Sequence, residues 1–364
     1  MLKRGDLKVE LQIRGVSINR DMYKELVEKY NVPHLQYNKI LLYFVDKNSE
    51  QHPVYTYINS ENSLFSLSKD RENKLFISNG QEKIDVRISP KPKYYEMEIN
   101  NKKCYEIANI EADGHLAVTI DHSCIHFINK KQCKFCSINS WTDNRKNTQE
   151  ELLKVIKIAY DMNLIKHISI TTGTINTKDK GIKGILNFIE KLDMYGIYVP
   201  IACEFEPVDD LEWIKKLHEY SVRTISCNIE IVEEIVRRRI MPGKGCIPKE
   251  IYYKNWLKAV ELFGENQVYT NIILSKYNED FNEIKRNLEF ICKLGVIPST
   301  GLIYPENNTE LFGCDMPDEN FIKEVHRNNI FNIIDNGLSP MVVAAGSPRN
   351  GAYSPIKEYF LDYK

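Results

Sequence analysis

The sequence predicts an α/β protein: a partial (β/α)6, TIM-like barrel preceded by a strand-rich, mixed α/β accessory domain. Three observations lead there. From Gly114 onward, apolar strand-like runs alternate with amphipathic stretches, the pattern of parallel strands joined by crossover helices. Capping signals open several of those stretches, and the residues before Gly114 instead carry short runs broken by turn signals. The expected division is 1–112 for the accessory domain, 113–310 for the barrel and 311–364 for an extension packing on the barrel.

In the first segment Leu7–Ile13 alternates as a strand would, Ile40–Val45 is a compact apolar run and Asp85–Ser89 alternates again, with turns at Asn79-Gly80 and Pro90-Lys-Pro92. Arg20–Tyr30, with Met22, Leu26 and Val27 on one face, is the helix expected here. The barrel strands are expected at His115–Asp121, His167–Thr171, Tyr198–Glu204, Arg223–Ile229, Gln267–Leu274 and Ile297–Tyr304. Thr148, Asp209 and Asp280 each stand three residues before a glutamate, the spacing of a capping box. After Thr148, Leu152, Val155, Ile156, Ala159 and Met162 mark an apolar stripe. A last helix is expected over Asp318–Asn336. In such a barrel the chemistry sits at the carboxyl ends of the strands.

With 49 basic against 50 acidic residues the net charge is −1, so no global field favours nucleic acid. No run of eighteen apolar residues occurs and Met1-Leu-Lys-Arg-Gly-Asp leads into polar sequence, which predicts a cytoplasmic protein without a membrane partner. The nine cysteines, an odd number without a secretion signal, read as reduced thiols. Six of them, Cys104, Cys203, Cys227, Cys246, Cys292 and Cys314, are scattered singly and read as small buried apolar residues.

The other three lie together in the stretch Asp121–Trp141. Eight residues separate Cys124 from Cys133, and two separate Cys133 from Cys136. Thiolates are soft ligands for zinc and for iron–sulfur clusters, and a Cys-x-x-Cys pair presents two sulfurs from one turn. Zinc would want a fourth ligand, from His122, His126 or a distant cysteine. A cubane cluster on three cysteines would leave one iron open. His122 and His126 read equally as ligands or as loop anchors.

This loop, placed after the first barrel strand, resembles that of the radical S-adenosylmethionine superfamily, in which three cysteines bind a [4Fe–4S] cluster; within it the likeness leans toward biotin-synthase-like members. The family's usual spacing is three residues and then two. Phe135 stands where the family places an aromatic. Thr171-Thr172-Gly173-Thr174 occupies the place of the family's Gly-Gly-Glu segment, which holds the amino group of S-adenosylmethionine, with the glutamate absent. Asn228-Ile-Glu230 is similar to the polar pair that meets the ribose hydroxyls, and Arg237–Arg239 to a cation for the methionine carboxylate, a task suited to a bidentate donor. Asn271–Glu279, with Ser275, falls where the family binds adenine, and Gly295–Pro298 resembles the stretch flanking it. Arg239–Gly245, with Tyr252 and Phe263-Gly264, and Pro92–Tyr95 are similar to one subgroup. The resemblance spans about residues 110 to 305.

It implies an enzyme that reductively cleaves S-adenosylmethionine to a 5′-deoxyadenosyl radical, which takes hydrogen from a small-molecule substrate, with a flavodoxin or ferredoxin as electron donor. It also suggests a second iron–sulfur cluster at Cys203 and Cys227, used for sulfur insertion. The rival from another class is a zinc-braced barrel that binds a ligand or hydrolyses it. Arg349, between Gly346 and Gly351, reads either as a contact for an anionic substrate or as part of a flexible surface tail.

Overall fold

The computed structural model describes residues 3–32, 38–58, 63–138, 147–278, 280–303 and 308–364; Trp141, Glu279 and Tyr304, which fall in the expected segments, lie outside these. Helices α1 (Arg4–Arg14) and α2 (Arg20–Lys29) accompany a mixed sheet of β1 (Val16–Ser17), β2 (Lys39–Val45), β3 (Gln51–Tyr57), β4 (Phe65–Lys69), β5 (Leu75–Ser78) and β6 (Lys83–Arg87), ordered β1-β4-β5-β6-β2-β3. A small ribbon, β7 (Glu98–Ile99) and β8 (Lys102–Lys103), and the one-turn helix α3 (Cys104–Ile107) lead to the second sheet.

That sheet is the partial barrel. Strands β9 (His115–Thr119), β10 (His167–Thr171), β11 (Ile201–Glu204), β12 (Val222–Ser226), β13 (Val268–Leu274) and β14 (Ile297–Leu302) pair in chain order, every pair parallel. The crossings carry α4 (Ile125–Ile128), α5 (Gln149–Asp161), α6 (Ile182–Met194), α7 (Glu212–Glu219), α8 (Glu234–Ile240), α9 (Lys249–Phe263) and α10 (Phe281–Lys293). Strands and starting helices fall where the alternation put them. Thr148 and Glu151 form the expected capping box, and Asp280 accepts from the Glu283 amide. Asp209 does not cap α7; its neighbour Asp210 accepts from the Glu212 amide in a tighter turn. Of the stripe on α5, Leu152, Val155, Ile156 and Ala159 are buried and Met162 is exposed.

The expected strand at Leu7–Ile13 is instead the body of α1. Its alternation has a physical origin: Leu7 and Leu11 pack in the core under the mixed sheet while Val9 packs in the barrel core, so the helix is sandwiched and shows no single apolar face. Three of its charged residues, Asp6, Lys8 and Glu10, are buried as well, and each is paired with one of the C-terminal helices α11 (Glu319–Asp335) and α13 (Ile356–Tyr363). Lys8 meets Glu358 at 2.8 Å, Glu10 meets Lys323 at 2.7 Å and Asp6 meets Arg327 at 2.7 Å. The C-terminal extension therefore clasps α1 as well as the barrel.

Between those helices, α12 (Ser347–Asn350) and its flanks cross the amino-terminal ends of the strands. The Ala345 amide donates to Thr224, the Gly346 amide to His167, and Ser354 donates to the Thr300 carbonyl. Arg349 is held by Asp113 at 2.9 Å and by the Ala344 carbonyl. It lies at the end of the barrel opposite the cysteine loop, in a packed segment, which corrects the flexible-tail reading made from sequence.

Lys8→Ala would strand the Glu358 carboxylate in the core, and urea unfolding should show a loss of about 3–5 kcal/mol. Burial, reinforced for His167 by neighbouring charges, holds His167 down at about 2 and His326 at about 3, against an ordinary 6.5. The unfolded chain takes up protons that the native state excludes. Stability is then full above pH 6.5 and falls as the pH drops from there toward 3; thermal melts across that range should fall monotonically, and less steeply in His326→Leu.

Candidate cofactor site at the carboxyl ends of the strands

Cys124, Cys133 and Cys136 follow β9 at the carboxyl mouth of the barrel. Cys133 and Phe135 pack against Ile231, Val236, Ile240, Met241, Ile303 and Leu311, a small apolar cluster over the mouth. Burial pushes the Cys133 thiol well up and the Cys136 thiol to about 11, so as free groups both are protonated at neutral pH, and thiolates there need a cation beside them. Among the described residues, the only His, Cys, Asp or Glu ligand atoms grouped in threes within 4.8 Å are those of Asp46, Glu50 and His52, so the three sulfurs are set wider.

The loop is fastened from two sides. At the end of β10, Gly173 donates its amide to the Asp121 carbonyl and the Ile125 amide donates to the Thr174 carbonyl; a Cβ on Gly173 would collide with the Ser123 carbonyl oxygen. From the segment after α8, the Gly243 amide donates to the Lys131 carbonyl, and a Cβ on Gly243 would collide with the His126 ring. The two contacts meet at a residue that sequence reasoning missed. Glu206, buried two residues beyond β11, accepts from Thr174 Oγ1 at 3.1 Å and lies 2.6 Å from His126 Nε2, with Lys180 Nζ at 3.6 Å. Burial would raise its carboxyl, but His126, Lys244 and Lys180 hold it below the ordinary value. His126 is thus placed as a loop anchor. A carboxylate thereby stands beside the Thr-Gly-Thr turn, whose own sequence lacks one. The sequence signal was the Glu204-Phe-Glu206 run closing the third strand.

Glu230 ends the segment after β12 with φ 56°, a left-handed conformation that costs a non-glycine residue about 1 kcal/mol or more. Its backbone is clamped to β13 by bonds to Asn271 and Ile273. Lys244 Nζ lies 2.7 Å from Oε1, while Oε2 is buried with no hydrogen-bond partner. Burial raises the Glu230 carboxyl and Glu230 raises the Lys244 ammonium, so the two titrate as a unit. Asn228 donates to Glu204 at 3.0 Å and accepts from Ser226 and from the Asn271 amide. Thr172, Asn228, Glu230 and Asn271 are partly exposed at the strand ends while the residues between them are buried.

Of the expected cations, Arg237 is buried and donates to the carbonyls of Lys244, Gly245 and Ile247, which makes it a brace for that loop. Arg239 donates to the Tyr277 carbonyl and lies over the Tyr277 ring. Lys244, a second residue missed from sequence, is the basic side chain that reaches the site. Ser275 is buried in a turn closed by Asn278. Cys203 and Cys227 are fully buried in the barrel core, each adjacent in its strand to an inward-facing residue, Glu204 and Asn228, and so turned toward the helix layer. The alternation sets both thiols away from the lumen in which the second-cluster reading placed them.

Residues 126–303 match the family model described as Radical SAM superfamily. The chain carries a radical SAM domain. Cys133, Cys136 and the strand-end segments lie within the matched residues, and Cys124 lies just before them. The superfamily of that domain uses a [4Fe–4S] cluster and S-adenosylmethionine. Among solved structures it is similar to methylornithine synthase (PylB), with 15% identity over 65% of this chain and 69% of that one and a TM-score of 0.45. It is also similar to HydG, a maturase of the [FeFe]-hydrogenase, from Carboxydothermus hydrogenoformans, with 15% identity over 60% of this chain and a TM-score of 0.46; the chain spans about half of that one, 52%. No match is found among curated proteins.

The orphaned Glu230 Oε2 and the three partly buried cysteines fit a radical SAM cofactor pair. Removing the Glu206 side chain should release the cysteine loop: Glu206→Ala and His126→Ala should each lower iron retained after reconstitution, Glu206→Ala more because Thr174 and Lys180 lose their partner as well, and the double variant should fall little below Glu206→Ala, because the His126 bond is already lost there. Iron assay and thermal melts of the four proteins check this.

Proposed function

We propose that Cys124, Cys133 and Cys136 hold a [4Fe–4S] cluster beside a bound S-adenosylmethionine, and that the enzyme acts on a small molecule held in the barrel. The observation that carries this reading is the convergence of the three thiols with the unpartnered Glu230 oxygen at the strand ends. When bound, the cluster supplies the electron that cleaves S-adenosylmethionine to methionine and a 5′-deoxyadenosyl radical, which takes hydrogen from substrate.

The chain's own residues bind, orient and exclude. The Thr172-Gly173-Thr174 backbone lies against the cysteine loop and borders the cofactor's amino acid end. Glu230, held rigid by β13, offers Oε2 to a ribose hydroxyl, and Lys244 keeps that carboxylate oriented. Asn228 and Asn271 line the wall below. Phe135 and its apolar cluster shield the site from water, which a reactive radical requires. Ser275 shapes the turn over the adenine side, and Arg237 and Arg239 act by holding the neighbouring loops. Exposed Lys130 and Lys131, on the cysteine loop, suit docking of an acidic one-electron donor such as flavodoxin or ferredoxin. Among the described residues no helix is long and apolar enough to cross a membrane, and a cytoplasmic setting with reduced thiols accords with the nine free cysteines. We retain 1–112, 113–310 and 311–364 as the proposed division, with α1 shared between the outer two.

Anaerobic reconstitution should give about four irons and as many sulfides per chain. With dithionite, the protein should form 5′-deoxyadenosine, falling to background in Cys136→Ala. A colourless protein holding one zinc, or a Cys136→Ala protein with unchanged product, would overturn the proposal.

A further inference from the structure

The barrel lumen has a floor one rank below the cofactor segments. Thr171, Glu204 and Ser226 stand in register on β10, β11 and β12, and Ser226 pairs in turn with Tyr269 on β13. In this rank Tyr269 and Ser226 are fully buried, whereas the Glu204 side chain is partly exposed, so it faces open space inside the barrel. Two neutral donors fix it: Tyr269 gives its hydroxyl to Oε1 at 2.7 Å and Asn228 gives its amide to Oε2 at 3.0 Å. Those donors are themselves held. The Tyr269 ring is backed by Gly346, and Asn271, which binds Asn228 through its amide, accepts from Ser347 Oγ at 2.8 Å.

The arrangement orients a carboxylate without neutralising it. Among the described residues no lysine, arginine or histidine pairs with Glu204, although the neighbouring carboxylates Glu206 and Glu230 are both matched by basic groups. A half-buried carboxylate held only by neutral donors keeps its charge available to a cationic ligand. Each oxygen accepts one bond and has a lone pair left, so a group with several N–H donors and a positive charge fits the unfilled positions. We propose that Glu204 anchors the substrate and that the substrate presents a protonated primary amine to it. This rests on the radical SAM reading only for its claim that the lumen holds substrate.

The test is calorimetric titration of the reconstituted enzyme, with S-adenosylmethionine present, with three probes of equal length: pentylamine, pentanol and pentanoate. Wild type is expected to prefer pentylamine over pentanol by about tenfold or more and to bind pentanoate weakest. Glu204→Gln, compared at equal iron content, should lose that preference, and Glu204→Asp should recover part of it. Equal binding of pentylamine and pentanol to wild type, or an undiminished amine preference in Glu204→Gln, would overturn the proposal. Failure of the radical SAM reading would show separately, as absence of iron from wild type, with the amine preference still measurable.

Discussion

The candidate site depends on one buried carboxylate. Glu206 stands where two segments from different parts of the chain meet: the cysteine loop through His126 and the β10–α6 connection through Thr174 and Lys180. A parallel sheet delivers all its strand ends to one face but does not fix the loops that leave them. Charge-assisted hydrogen bonds in a dry setting do, since a donor left without its acceptor there would cost more than the bond is worth in water. The eight-residue gap between Cys124 and Cys133 makes such a fastening necessary, because a long loop gains entropy by wandering. The Gly173 and Gly243 contacts complete the fastening by letting backbone approach backbone.

Much of the fold was legible because periodicity reports burial on one face. The helices α5, α10 and α11 fit that rule, and the six barrel strands, buried on both faces, read instead as apolar runs and fell within a few residues of expectation. The rule failed at α1, which is enclosed on all sides and whose charges are neutralised by helices more than 300 residues away in sequence, pairings such as Asp6 with Arg327 that no local pattern shows. In the site, the cysteines, Asn228, Glu230 and Asn271 carried family-like spacing and lie together at the strand ends. Glu206 and Lys244 did not, because their roles come from tertiary convergence. Conversely, the Arg237–Arg239 run advertised a cation, yet Arg237 is spent on carbonyls.

Taken together, the carboxyl face of the barrel has a graded electrostatic plan. Apolar residues surround the sulfurs, a charge pair at Glu230 and Lys244 lies beside them, and a carboxylate without a counter-ion lies beneath. At the opposite end of the barrel the segment around α12 packs on the strands.

The central claim is that the three cysteines leave one iron free to take S-adenosylmethionine. Electron paramagnetic resonance of the reduced, reconstituted protein tests it most directly. The account predicts a reduced-cluster signal whose shape shifts when S-adenosylmethionine is added, and shifts less in Glu230→Ala. A signal from a fully ligated cluster, unchanged by S-adenosylmethionine, would contradict it.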